Sequence, residues 1–282
     1  MLIAQISDTH ISTPDSVNDR WFDTPGHLAR AVDHLNRLTP RPDVTLVTGD
    51  LVERGDPAEY ARLRSILDGL AMPAYVVPGN HDAREPLARA FADRGYLPAG
   101  EFLHYTVEQW PVRLIGLDTH VPGSAGGRLC AERLAWLDAR LREAPERPTL
   151  LFMHHPPFVT GLQAMDGMGL DGGPALADVV RRHPQVERIV CGHVHRAMTR
   201  RFGGTVATTS PATAHQLALA LTPARHLAVV MEPPACSLHL WMGPEIGLVT
   251  HLSQIEERPA FTLYDGERWL REATPPPAFH AR

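Results

Sequence analysis

Five short segments carry histidine, aspartate or asparagine in groupings that can do chemistry: Asp8-Thr9-His10, Gly49-Asp50, Gly79-Asn80-His81-Asp82, His154-His155 and Gly192-His193-Val194-His195. Imidazole and carboxylate suit borderline transition metals, and the lack of a thiolate among them disfavours a purely structural zinc site. Each segment taken singly has an ordinary role. An Asp after a strand caps a helix or forms a turn, Gly-Asn-His is a common turn, and His-X-His can be a surface pair. Two segments repeat an i, i+2 spacing. On an extended backbone that spacing puts both side chains on one face, so Asp8 with His10, and His193 with His195, are expected to converge.

These segments share a place: each follows an apolar run. Leu2 to Ser7, Val44 to Thr48, Ala74 to Val77, Val112 to Leu117, Thr149 to Met153 and Arg188 to Cys191 read as strands. Amphipathic stretches at Gly26 to Leu38, Pro57 to Leu70, Ala131 to Arg142 and Pro174 to His183 read as helices between them. The β-α rhythm predicts an α/β domain with helices over a sheet, and ligand sites in such sheets form at the carboxyl ends of strands. After Gly192 the runs Thr205 to Thr209, His226 to Glu232 and Ser237 to Trp241 are broken by Gly and Pro and read as strands closing a second sheet. The region Ala228 to Trp241 and the apolar residues of Ile246 to Leu252 either close the core or pair with another subunit, so a homo-oligomer is an expectation. One domain over 1–270 is expected, with a Pro-rich tail over 271–282.

Composition narrows the function. With 282 residues, 44% hydrophobic, the chain can bury a sizeable core. A net charge of −5 gives no electrostatic reason to bind a long nucleic acid or an anionic membrane. No apolar run is long enough to span a bilayer and no leader pattern is present, so a cytoplasmic location is expected. All 27 basic residues are arginine, which excludes a P-loop lysine and a Schiff-base lysine. The three cysteines, Cys130, Cys191 and Cys236, are scattered and form neither a disulfide framework nor a CxxC metal site.

The ordered set DxH, GD, GNHD, H and GHxH, with FMHHPP and CGHVHR in full, resembles the calcineurin-like metallophosphoesterase family from Leu2 to about Thr209. The resemblance is greatest to bacterial class III cyclic nucleotide phosphodiesterases and glycerophosphodiesterases. It implies a four-layer αββα sandwich of two mixed β-sheets flanked by helices, around two divalent or trivalent transition-metal ions such as Mn, Fe, Zn or Co. It further implies that Asp8, His10, Asp50 and His195 hold one ion, and that Asp50, Asn80, His154 and His193 hold the other, with Asp50 bridging. Two cations about 3.5–4 Å apart clamp a phosphoryl oxygen, polarise phosphorus and acidify a shared water, so hydroxide can attack without a side-chain nucleophile. The implied activity is hydrolysis of a small phosphodiester, either a 3′,5′-cyclic nucleotide or a glycerophosphodiester. Phosphomonoesterase, nuclease and non-catalytic scaffold are the alternatives on this fold.

The resemblance places His81 beside the substrate with Asp50 as catalytic residues, and Asn80, His81, His195 and His215 as substrate-facing, with His215 either lining the pocket or an ordinary loop residue. His81 hydrogen-bonds the phosphoryl group or protonates the leaving alkoxide, or else it is a turn residue that orients Asn80. Neighbouring rings on a strand face opposite ways, and the apolar run before His154-His155 does not say which meets a metal. The family pattern selects His154 and leaves His155 to anchor a loop. Asp82 is read as a turn or cap residue. Trp21-Phe22 either wall the substrate pocket or pack in the core, Arg200-Arg201 either attract phosphate or lie on a solvated strand edge, and residues 163–173 are either a lid or a long connector.

Overall fold

Side chains along the strand Thr149–Met153 alternate between two apolar clusters: Leu150 and Phe152 join one, Leu151 and Met153 the other. A strand buried on both faces must lie between two layers. The first strand, Leu2–Ile6, repeats the pattern, with Ile3 in the cluster shared with Leu150 and Phe152, and Ala4 and Ile6 in a third cluster. The shared cluster therefore separates two sheets, and the other two lie between each sheet and its helices. This is the four-layer arrangement of two mixed sheets that the family resemblance implies. The protein is described by a computed structural model over residues 1–14, 16–222, 226–256, 260, 262–267 and 269. The expected Pro-rich tail, 271–282, lies outside the described residues.

The five-stranded sheet runs in the spatial order Leu248–Gln254, Ala235–Trp241, Leu2–Ile6, Val44–Val47, Ala74–Val76. Its last three strands are parallel, and the first two are antiparallel additions. The six-stranded sheet runs Met198–Phe202, Thr205–Thr209, Val186–Cys191, Thr149–Met153, Arg113–Leu117, Tyr105–Val107, with the central four parallel. Leu28 and Leu35 of helix Thr24–Arg37, Tyr60 and Leu63 of helix Pro57–Leu67, and Leu87 of helix Arg84–Ala90 cover the first sheet. Leu134, Leu137 and Leu141 of helix Ala131–Arg142 and Leu176, Val179 and Val180 of helix Gly173–Arg181 cover the second.

The strands after residue 205 depart from the expectation that they close one second sheet. Only Thr205–Thr209 enters the six-stranded sheet, whereas Ala235–Trp241 and Leu248–Gln254 complete the five-stranded one. The physical reason lies in Leu2–Ile6, which is buried along its whole length and would otherwise leave a row of unpaired backbone groups at a sheet edge. The run His226 to Glu232 gives only the two-residue strand Val229–Val230, paired with Gln216–Leu217. Residues 163–173 form the short helix Gln163–Asp166 and the strand Leu170–Asp171, which pairs with Gly127–Arg128. Arg200 and Arg201 lie exposed on the edge strand Met198–Phe202.

Candidate metal centre

The parallel strands of both sheets end on one side of the sandwich, and the five segments leave from those ends. Their backbone is unusual. Among the described residues six non-glycine positions have positive φ, and five of them are Asp8 (53°), His10 (43°), Asp50 (47°), His193 (72°) and His195 (49°). A left-handed residue that is not glycine costs about 1–2 kcal/mol, so strain is concentrated on the candidate ligands. This corrects one expectation: Asp8 with His10, and His193 with His195, do not converge across an extended backbone. Each residue of both pairs sits on a left-handed bend, and the bends gather Asp8 and His10 with Asp50 but send His193 to His154 and His155 and His195 to His10 and His215. The intervening Thr9 hydroxyl donates to Leu51 O at 2.6 Å, and Val194 packs in a small apolar cluster.

Two glycines in the motifs are there for closeness. A Cβ on Gly79 would lie 2.2 Å from Asp50 Oδ1, and one on Gly192 would lie 2.0 Å from Ser7 Oγ and 2.8 Å from Asp8 Oδ2. Any side chain at either position pushes a carboxylate out of the centre.

Hydrogen bonds fix the tautomers of the four candidate imidazoles. His10 Nδ1 meets Glu53 Oε2 at 2.9 Å, His195 Nδ1 meets His215 O at 2.9 Å, His154 Nδ1 meets Thr48 O at 2.8 Å and His193 Nε2 meets Met168 O at 3.1 Å. Carbonyl and carboxylate oxygens only accept, so those ring nitrogens carry the protons and the remaining one on each ring offers a lone pair. Three of these lone pairs, on His10, His195 and His154, face other acceptors. His10 Nε2 and His195 Nε2 are 3.2 Å apart, with Asp50 Oδ2 3.7 Å from the first and Asp8 Oδ1 3.5 Å from the second. His154 Nε2 lies 3.3 Å from Asp50 Oδ2 and 3.2 Å from Asn80 Oδ1. Acceptors that converge in this way need a positive charge between them, a proton on Nε2 of His10 or His154 or a metal ion in its place, and the N/O donor set suits a transition metal. Asp50 belongs to both groups.

The electrostatics point the same way. Burial pulls the His10 and His154 rings toward neutrality, yet both are lifted to about 9. For His10 the hydrogen bond to Glu53 and the charges of Asp50, Glu53 and Asp8 prevail; for His154 the charge and hydrogen bond of Asp50 and the charge of Asp8 prevail. Burial raises the Asp50 carboxyl, but His154, His10 and His81 hold it well below the usual range. The acid-rich centre demands positive charge. His193, His195 and His215 are pushed down to about 3, first by burial and then by neighbouring rings.

The remaining predicted residues take separate positions. The His81 backbone N–H donates to Asp50 Oδ1 at 2.9 Å, and its Nδ1 donates to Glu53 O at 2.9 Å, leaving Nε2 on a side chain that is 36% exposed. Asp82 accepts from Gly79 N, Leu51 N and Tyr60 Oη, so it ties the Asp50 loop to the Asn80 loop. His155 has both ring nitrogens engaged, Nδ1 with Thr119 Oγ1 at 2.8 Å and Nε2 with Ala125 O at 3.2 Å, as a loop anchor requires. His215 is buried, its ring 5.4 Å from His10 and stacked on Phe22 at 4.5 Å, which makes Phe22 a neighbour of the centre. Trp21 is exposed. Residues 163–173 reach the centre through Met168 O. Glu53 is absent from the sequence-based set, and its one signal is its place three residues after Asp50.

No helix among the described residues is long and apolar enough to cross a membrane. The pattern of the calcineurin-like phosphoesterase family matches residues 1–197. A probable glycerophosphodiester phosphodiesterase (GpdQ) of Arcobacter nitrofigilis is 38% identical over 256 residues, covering 90% of this chain and 93% of its own. The 3′,5′-cyclic adenosine monophosphate phosphodiesterase (CpdA) of Pseudomonas aeruginosa is 33% identical over 218 residues, covering 77% of this chain and 78% of its own. Among solved structures, a dimetal phosphatase from Danio rerio superposes with a TM-score of 0.67 at 16% identity, covering 91% of this chain and 97% of the other, which is a likeness of fold. The chain belongs to the calcineurin-like phosphoesterase family.

Proposed function

We propose that the chain is a phosphodiesterase for small phosphodiesters, of the class of 3′,5′-cyclic nucleotides or glycerophosphodiesters, working at a dinuclear transition-metal centre. Asp8, His10, Asp50 and His195 would hold the first cation, and Asp50, Asn80, His154 and His193 the second. The observation that carries this reading is the convergence of two groups of lone pairs on the shared carboxylate Asp50. Bound there, the cations supply Lewis-acid polarisation of phosphorus and acidify water.

The chain's own residues supply the rest. Asp50 Oδ1 accepts the His81 N–H and so positions the Asn80-His81 turn beside the centre. With its Nδ1 proton on the Glu53 carbonyl, His81 presents Nε2 to the open side, where it can hydrogen-bond a phosphoryl oxygen or pass a proton to a leaving alkoxide. Asn80, His195 and His215 complete the substrate-facing wall, His215 being braced by Phe22. Similarity to relatives of both diesterase kinds supports the diester class.

The test is turnover of cyclic AMP, a glycerophosphodiester and a simple phosphomonoester on one Mn-loaded preparation, alongside metal analysis. At least one diester is expected to turn over far faster than the monoester. A faster monoester would make the chain a phosphomonoesterase, and no turnover at full metal content would leave a scaffold.

A further inference from the structure

The four candidate imidazoles are not held alike. His154, His193 and His195 each donate their outer N–H to a neutral backbone carbonyl, of Thr48, Met168 and His215. His10 alone donates to a carboxylate, Glu53 Oε2 at 2.9 Å. A hydrogen bond to an ionised acceptor is roughly twice as strong as a neutral one, and it makes the imidazole a better electron-pair donor at its other nitrogen. Glu53 brings to the first site a negative charge that the second site lacks.

The backbone of Glu53 is fixed independently of its side chain. Its N–H donates to Ile11 O at 3.0 Å, in a short zip that also joins His10 N to Asp50 O and Ile11 N to Leu51 O. Its carbonyl accepts from His81 Nδ1. One residue thus orients two rings, His10 through the carboxylate and His81 through the main chain, and substitution of the side chain removes the His10 hydrogen bond while leaving that of His81 to the Glu53 carbonyl in place.

We propose that Glu53 is the positioning residue of the first site, its carboxylate locking the His10 ring and making that site the tighter of the two. The inference rests on the reading that both groups of residues hold cations. It also explains why the acceptor is a side chain here: a carbonyl would fix the tautomer equally well but would add no charge.

The experiment is calorimetric titration of metal-free protein with Mn and with Co(II), read also through the Co(II) absorption spectrum, in two backgrounds that each keep one site. His154→Ala retains the first site and His195→Ala the second. Glu53→Ala is expected to weaken the first site about 10- to 100-fold while leaving the second unchanged. Glu53→Gln keeps an acceptor for His10 Nδ1 and loses only charge, so its effect is expected to be the smaller of the two. Thermal melting of the metal-free variants checks folding, and the near-isosteric glutamine keeps the test open if the alanine variant does not fold. An unchanged first site in Glu53→Ala, or equal weakening of both sites, overturns the assignment of Glu53 while the dinuclear reading stands. Two backgrounds that bind no cation with Glu53 intact overturn both.

Discussion

The two halves of the centre share Asp50 and differ in almost everything around it. The first gathers two carboxylates and two imidazoles, one of them braced by a third carboxylate, Glu53. The second has the shared carboxylate, two imidazoles and the neutral amide of Asn80, with both rings held by backbone carbonyls. Charge count dominates the affinity of such sites for a divalent cation. On the proposed reading the first site therefore holds its metal firmly and the second more weakly, completing its coordination when substrate supplies an oxygen. On that reading one fold edge makes a resident site and a recruited one from the same motif chemistry, by changing what stands behind each ligand.

The largest effect is expected where the two halves cannot be separated. Asp50→Asn keeps the acceptor for the His81 N–H but removes the charge common to both sites. It should abolish second-site occupancy, weaken the first and cost several kcal/mol in the transition state, about a thousandfold in turnover. Metal analysis and kcat/KM on the preferred diester measure it. Full occupancy of both sites in this variant would show that the carboxylate does not join them.

A smaller change should separate the halves. His154→Ala removes an imidazole whose lone pair faces Asp50 and Asn80, and is expected to empty the second site alone. His155→Ala removes the neighbouring ring, whose nitrogens serve Thr119 and Ala125, and is expected to keep both metals. Its cost should be in stability, about 1–3 kcal/mol from buried polar partners left unmet. Paired metal analysis and urea unfolding distinguish the two, and metal loss in His155→Ala of the size seen in His154→Ala would undo the assignment.

Much of this was legible in the sequence because the central strands are apolar runs and the residues that leave them are of metal-binding type. Helix Ala131–Arg142 and strands Thr149–Met153 and Thr205–Thr209 begin and end where the pattern puts them. What escaped has a physical cause. Met198–Phe202 is an edge strand with most residues exposed, and helix Arg84–Ala90 buries only Leu87, so neither carries a periodic apolar signal. The placement of Ala235–Trp241 beside Leu2–Ile6 depends on which backbone groups need pairing across more than 200 residues, and local pattern is blind to that. In the centre, residue types announced the candidate ligands, but the left-handed bends that aim them leave no mark when the residue is not glycine. Glu53 joined the centre only through distances in space, and for Phe22 the sequence left open whether it walls the pocket or packs in the core until its stacking on His215 placed it.

The smallest expected effect concerns the support beneath the second half. The Thr48 carbonyl that holds His154 belongs to a residue whose hydroxyl accepts from Gln5 Nε2, and Gln5 Oε1 in turn faces His239 Nε2 at 3.1 Å. His239 Nδ1 meets Thr250 Oγ1 at 2.9 Å, so the neutral ring donates to Gln5 and accepts from Thr250. Unlike the support of His10, this chain of contacts holds no charge. Burial, then the Arg188 charge, pushes the His239 ring down to about 3 from 6.5. A histidine depressed in the folded state contributes stability that is complete above the unfolded value of 6.5. That stability is lost progressively as pH falls toward 3, because the unfolded chain takes up the proton first. Within that window one such group imposes a slope approaching 1.36 kcal/mol per pH unit. His239→Gln removes the titrating group while retaining polar atoms for Gln5 and Thr250. Urea unfolding of the metal-free protein between about pH 7 and 5 should therefore show a stability curve flatter than the wild type by one proton's slope. Parallel curves would mean that His239 binds its proton equally well in the folded and unfolded chain, and a variant curve steeper than the wild type would mean that the ring is charged in the folded state, so that the second half of the centre rests on a cation as the first rests on an anion.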